Sequence, residues 1–116
     1  MNIRRFDILL VDFGKGVGSE QNNVRPAVVV GNDASCNYSP VLIVMPFTSN
    51  KGKSKIPTHC IIKKEPGGLH NDSLLIGEQP TPIDRLRVLS YLGHIENEDN
   101  QAKINKACID AFFYKH

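Results

Sequence analysis

Arg25 is the side chain in this sequence best suited to meeting a negative charge. It lies in Gly18-Ser19-Glu20-Gln21-Asn22-Asn23-Val24-Arg25-Pro26-Ala27-Val28-Val29-Val30, where a polar loop runs into an apolar, β-branched strand. Proline fixes its own φ and biases its predecessor towards extended geometry, so Arg25 is expected at a strand entrance beside the loop. A permanently charged fork of five donors held there can grip a phosphate. Further on, Lys51-Gly52-Lys53-Ser54-Lys55 makes a basic loop that as a bare pattern reads as solvated. Gly14, Gly16 and Gly18 lack the Gly-Lys-Ser/Thr ending and the following helix of a nucleotide cradle, so a long hairpin loop is expected there.

Other chemistries find little support. The three cysteines, Cys36, Cys60 and Cys108, are far apart and odd in number, which fits a reducing compartment better than a disulfide framework. They show no Cys-x-x-Cys spacing, and the four histidines are scattered, so neither a metal site nor a cofactor is expected. A net charge of +2 is compatible with nucleic acid without pointing to it. No apolar run is long enough to span a membrane, and Met1-Asn2-Ile3-Arg4-Arg5 opens no signal-peptide segment. A cytoplasmic protein without membrane partners is the expectation.

The elements that position Arg25 follow from apolar runs and turn residues. The 116 residues form a single expected domain, 1–116, with 41% hydrophobic residues, enough for a core without metal or disulfide support. Strands are expected at Arg5–Phe13, Val24–Val30, Val41–Phe47, Thr58–Ile62, Ser73–Ile76 and Arg87–Ile95, the last broken at Gly93. The third is nearly all apolar, implying burial on both faces or across an interface. Asn32–Pro40 reads as turn, Glu65-Pro66-Gly67-Gly68-Leu69 as another, and Pro80 and Pro82 as stops to regular pairing. Ile104, Cys108, Ala111 and Phe112 then share one face of a helix starting near Asn97, with Glu98 and Asp99 in its first turn and Lys115 at its end. Many short strands and one terminal helix make the fold mainly β, a small barrel or sandwich with the helix capping its core.

An ordered set of short motifs now resembles the MazF-type toxins of bacterial toxin–antitoxin systems. They are Gly18-Ser19-Glu20-Gln21, Val24-Arg25-Pro26, Tyr38-Ser39-Pro40, Thr48-Ser49, Pro57-Thr58-His59, Glu78-Gln79, Ile83-Asp84 with Arg87, and Gly93-His94-Ile95. None is specific alone; their order and spacing hold from about residue 4 to residue 110. The resemblance implies a homodimeric Src-homology-3-like barrel of the MazF/CcdB/Kid type with a C-terminal helix. It also implies a metal-independent, sequence-specific endoribonuclease that cuts single-stranded mRNA and is neutralised by a cognate MazE-like antitoxin. Family members pair an arginine at the position of Arg25 with a threonine or serine at that of Thr48, so these two carry over as the catalytic pair.

The chemistry of RNA supports that pairing. RNA brings its own nucleophile, the 2′-hydroxyl, so a metal-free nuclease needs only to align it, stabilise the pentavalent phosphorus and move two protons. The expected products are a 2′,3′-cyclic phosphate and a 5′-hydroxyl. Arg25 stays protonated at ordinary pH and is assigned charge stabilisation, while Thr48 donates a hydrogen bond to a non-bridging oxygen. Glu20 and Glu78 are the carboxylate candidates for proton transfer. His59 and His94 carry the ring most often used for acid–base work but are read as structural or surface groups. Ser19, Gln21, Asn22 and Asn23 before the strand, with Ser49 and Gln79, would contact RNA, the amides reading exposed base edges. Lys51, Lys53 and Lys55 would neutralise flanking phosphates.

Some positions depart from the family pattern. Lys15 or Gly16 stands where a proline is common, Thr81 where a basic residue is common, and Pro82 where a threonine is usual. These leave the chemistry intact and bear on the cleavage motif. Glu96 replaces a common capping serine, which hands the helix cap to Asn97. Two rival readings are a CcdB-like gyrase poison on the same fold and an RNA-binding module without catalysis. The poison is disfavoured because the chain has no tryptophan, whereas such proteins end in a tryptophan-containing segment.

Overall fold

In a computed structural model, residues 2–14, 23–48, 59–77 and 80–113 are described. Seven strands, β1 (Asp7–Asp12), β2 (Val24–Val29), β3 (Val41–Thr48), β4 (His59–Ile62), β5 (Ser73–Ile76), β6 (Thr81–Asp84) and β7 (Val88–His94), pair in the order β4-β5-β3-β2-β1-β7. β6 joins β3 off that path. Every pairing is antiparallel. The two ends of the order, β4 and β7, are not paired with each other among the described residues, so the barrel-like sheet does not close.

β3 is the hub because it changes partners along its length. Its first half pairs β6 from Val41↔Asp84 to Val44↔Thr81, and its end pairs β5 at Phe47↔Leu75 and Thr48↔Leu74. β2 occupies its other edge at Ala27↔Pro46, Val28↔Met45 and Val29↔Val44. Side chains alternate across a strand, so its apolar run feeds two separate cores. Met45 and Phe47 join Ile8, Val28, Leu75 and Ile95 on one face, covered by Ile104 and Ala107 of α2 (Glu98–Phe113). Leu42 and Val44 join Leu9, Val11, Ala27 and Val29 on the other, with Cys36 and Ile83. The burial of β3 on both faces is therefore achieved within one chain. Each such fully buried Leu, Ile or Phe side chain contributes about 1.5–3 kcal/mol of transfer free energy.

Two local expectations are corrected. Asn32–Pro40 was expected as turn, yet α1 (Asp33–Tyr38) forms a short helix. The Asn32 carbonyl accepts from the Cys36 N–H at 2.9 Å and Asp33 sits in the first turn, a helix start too short to show periodicity. Pro80 and Pro82 were expected to stop pairing, yet Pro82 stands opposite Ile43 in the ladder. Among the described residues β6 pairs only β3, so the missing N–H of an edge proline can face away from the sheet.

The C-terminal helix starts as its cap residues dictate. Asn97 Oδ1 accepts from the Asn100 N–H at 3.0 Å, the capping role expected of it. Ile104 is buried, and Cys108 and Ala111 pack against the same core; the Phe112 side chain and Lys115 lie outside the described residues. Asn100 is 2% exposed and bonds the main chain of Lys63 twice, at 3.0 Å to its N–H and 2.9 Å from its carbonyl. Glu65 Oε2 accepts from the N–H groups of Glu96 and Asn97, both at 3.0 Å. The β4–β5 hairpin is thereby fastened to the start of α2. A second fastening is at Gly93, where an added Cβ would lie 2.4 Å from the Gly67 carbonyl oxygen. Only glycine lets the two backbones approach so closely there, and the His94 N–H donates to that same carbonyl at 2.8 Å.

Candidate active site

Arg25 is the second residue of β2, half-buried, opposite Val11 of β1. Pro26 has no N–H to donate, and β2 pairs with β3 only from Ala27 onward. The ladder is thus open where Arg25 sits. Continuing the Ala27↔Pro46 register towards the open end brings Arg25 opposite Thr48, the last residue of β3. Directly opposed residues of an antiparallel pair project to the same face, with Cβ atoms roughly 4.5–5.5 Å apart where the ladder holds. The two side chains expected as a pair, 23 positions apart in sequence, are gathered by that register.

They line one cleft of about 430 Å³. Val24, Pro26 and Phe47 supply its apolar lining, and Asn71, Asp72 and Ser73 form a polar wall. No hydrogen bond or ion pair holds the Arg25 side chain among the described residues. A guanidinium in such a cleft is available to an anion, and its charge, worth little in bulk water, gains strength where the apolar lining excludes solvent. In the sequence neither Asn71 nor Asp72 stood out, and Ser73 was expected only as the start of a strand.

Of the other expected residues, Asn23 is described: its carbonyl accepts from the Phe13 N–H at 3.0 Å, closing the first hairpin. Asn23 Oδ1 is enclosed without a hydrogen-bond partner among the described residues, so that atom is not an open reader of bases. Ser19, Glu20, Gln21, Asn22, Ser49, Lys51, Lys53, Lys55, Glu78 and Gln79 lie outside the described residues. The His59 side chain does too. His94 is buried as a structural group, its Nδ1 2.6 Å from Asp7 Oδ1 at the end of β1 remote from Val11. Among the described residues no group of three His, Cys, Asp or Glu side chains could hold a metal ion. No helix among them is long and apolar enough to cross a membrane.

Residues 4–112 match the family model of the PemK-like, MazF-like toxin of type II toxin–antitoxin systems. The chain belongs to this toxin family. A curated relative, Endoribonuclease EndoA of Bacillus subtilis (strain 168), is 36% identical over 115 residues, spanning 95% of this chain and 99% of its own. Solved structures share the fold at lower identity. An endoribonuclease from a mycobacterial species, in complex with its cognate antitoxin, superposes with a TM-score of 0.77 at 18% identity, covering 98% of both chains. The MazE–MazF assembly of Deinococcus radiodurans gives 0.75 at 17% identity over 99% of both chains. For this toxin those likenesses establish the barrel-like fold, and the register of β2 and β3 explains how that fold gathers Arg25 and Thr48.

Proposed function

We propose that the chain is a sequence-specific, metal-independent endoribonuclease that cuts single-stranded mRNA and leaves a 2′,3′-cyclic phosphate and a 5′-hydroxyl. The observation that carries this reading is the shared cleft of Arg25 and Thr48 in a chain of this toxin family. Arg25 binds the non-bridging oxygens of the scissile phosphate and offsets the charge that builds on them as the 2′-oxygen attacks. Thr48 donates its hydroxyl proton as a hydrogen bond to one of those oxygens. Both groups work by position and charge, so the attack on phosphorus needs no Lewis acid; the substrate carries its nucleophile. Glu20 and Glu78 take the two proton transfers, and the amides and lysines of the two flanking loops hold the RNA strand.

The chain acts as a homodimer held inactive by a cognate MazE-like antitoxin, an acidic disordered segment that folds along the dimer and covers the RNA groove. The relatives solved with an antitoxin support this part of the reading. Light scattering at micromolar concentration should give about twice the 12.9 kDa of one chain; a mass near 12.9 kDa would exclude the dimer.

The chemistry is tested with purified protein, a long RNA and excess EDTA, followed by mapping of the new 5′ ends. Cleavage at one short motif is expected. Thr48→Ala should slow it on the order of a hundredfold, the loss of one hydrogen-bond donor to a developing charge. RNA left intact by the wild type, or an undiminished rate in Thr48→Ala, would defeat the assignment.

A further inference from the structure

The polar wall of the cleft comes from the return leg of the β4–β5 hairpin, and its three residues differ in what they can offer. Asp72 is occupied: Oδ1 accepts from the Lys64 N–H at 2.8 Å, and Oδ2 lies 3.6 Å from Lys63 Nζ. That lysine also offsets the carboxylate charge, which otherwise would repel a phosphate held by Arg25. Ser73 Oγ donates to the Asn71 carbonyl at 3.0 Å, so its proton is committed. Asn71 is exposed and its side-chain amide has no hydrogen-bond partner among the described residues, while its carbonyl accepts from Ser73 and its neighbour Asp72 is tied to Lys64. The same hairpin is fastened to α2 and to β7 through Lys63, Glu65 and Gly67. An uncommitted amide on a backbone pinned at several points is the arrangement a reading group requires, because little freedom is lost when it binds.

We propose that Asn71 reads a base of the RNA adjacent to the phosphate gripped by Arg25 and Thr48. This rests on the ribonuclease reading above and adds to it a specificity residue in a part of the chain outside the two flanking loops. A carboxamide presents one acceptor and one donor side by side. Its discriminating complement is the N6/N7 edge of adenine, an amino donor beside a ring-nitrogen acceptor, where guanine shows two acceptors instead. Bases of single-stranded RNA can be splayed so that such edges face the protein. Asn71 touches a base and not the reacting atoms, so its substitution changes which sites are cut.

The test maps cleavage sites of wild type, Asn71→Ala and Asn71→Asp on one long RNA in EDTA, with thermal midpoints as the control for folding. Wild type should prefer adenine at one position of its motif. Asn71→Ala should lose that preference about fivefold or more, the low end of what one paired base contact discriminates. Asn71→Asp removes the donor and leaves two acceptors, so the same position should turn towards guanine, whose Watson–Crick edge presents two donors. An unchanged motif in both variants would overturn the inference while the ribonuclease reading stood on wild-type cleavage. Complete loss of cleavage in both folded variants would overturn it as well, since a base reader alters choice and not chemistry. RNA left intact by the wild type would remove both readings together.

Discussion

Arg25→Ala is expected to lower the rate of RNA cleavage on the order of a hundred- to a thousandfold, the usual cost of removing one preorganised group that stabilises transition-state charge. The fold should hardly notice. Arg25 is half-buried and makes no hydrogen bond or ion pair among the described residues, so its truncation should change unfolding free energy by no more than about 0.5 kcal/mol. Arg25→Lys should recover only part of the rate. A lysine restores the charge, but it presents a point cation where the guanidinium presents a planar fork to two phosphate oxygens. Initial rates on a fluorogenic RNA in EDTA, set beside thermal midpoints, make the comparison. A folded Arg25→Ala that cuts as fast as wild type would end the assignment of this residue to catalysis.

Asp7→Ala should have the opposite signature, a large loss of stability with the chemistry preserved. Asp7 is 1% exposed, and its carboxylate serves three partners. Oδ2 accepts from the Arg4 N–H at 2.8 Å, while Oδ1 lies 2.6 Å from His94 Nδ1 and 3.5 Å from the Tyr91 hydroxyl. Truncation to alanine strands a buried imidazole and a backbone donor at once. Breaking a buried polar pair from one side costs about 3–5 kcal/mol, because the remaining partner keeps its desolvation penalty. In a chain of this size that lowers the melting midpoint on the order of 10 °C or more. Asp7→Asn retains an acceptor and should lose less. Urea denaturation measures both variants; a loss under about 1 kcal/mol in Asp7→Ala would mean that the pair does not hold β1 to β7. Asp7 begins β1, whereas Arg25 lies opposite Val11 near its other end, so cleavage well below the lowered midpoint should persist.

Much of the fold could be read in advance where one period dominates. Ser73–Ile76 and the helix face of Ile104, Cys108 and Ala111 are long enough, or regular enough, to declare themselves. Asn97 could be assigned as the cap because capping is a matter between a side chain and an N–H three residues on. α1 and β6 could not. Six residues of helix show no apolar stripe, and a proline is read as a stop unless the strand is known to be an edge. His94 could be set aside as structural, but the partner that makes it so, Asp7, is 87 residues away.

The candidate site divides along the same line. Local rules placed Arg25: Pro26 extends the backbone before it, and the β-branched residues after it make a strand. They also supplied the apolar run of β3 that ends at Thr48. What brought the two into one cleft is the antiparallel register of β2 and β3, and register is set by packing two cores across the sheet, not by the residues at its end. Asn71 depended on more still. Asn71 lies between the turn at residues 65–69 and the strand from Ser73 and matches no motif, and only the fastening of the hairpin to α2 and to Gly93 carries it to the wall opposite Arg25 and Thr48. Short-range preferences are written residue by residue in the chain. Which strand ends and which turns meet is settled by contacts between distant residues, and these form only when the whole sheet has assembled.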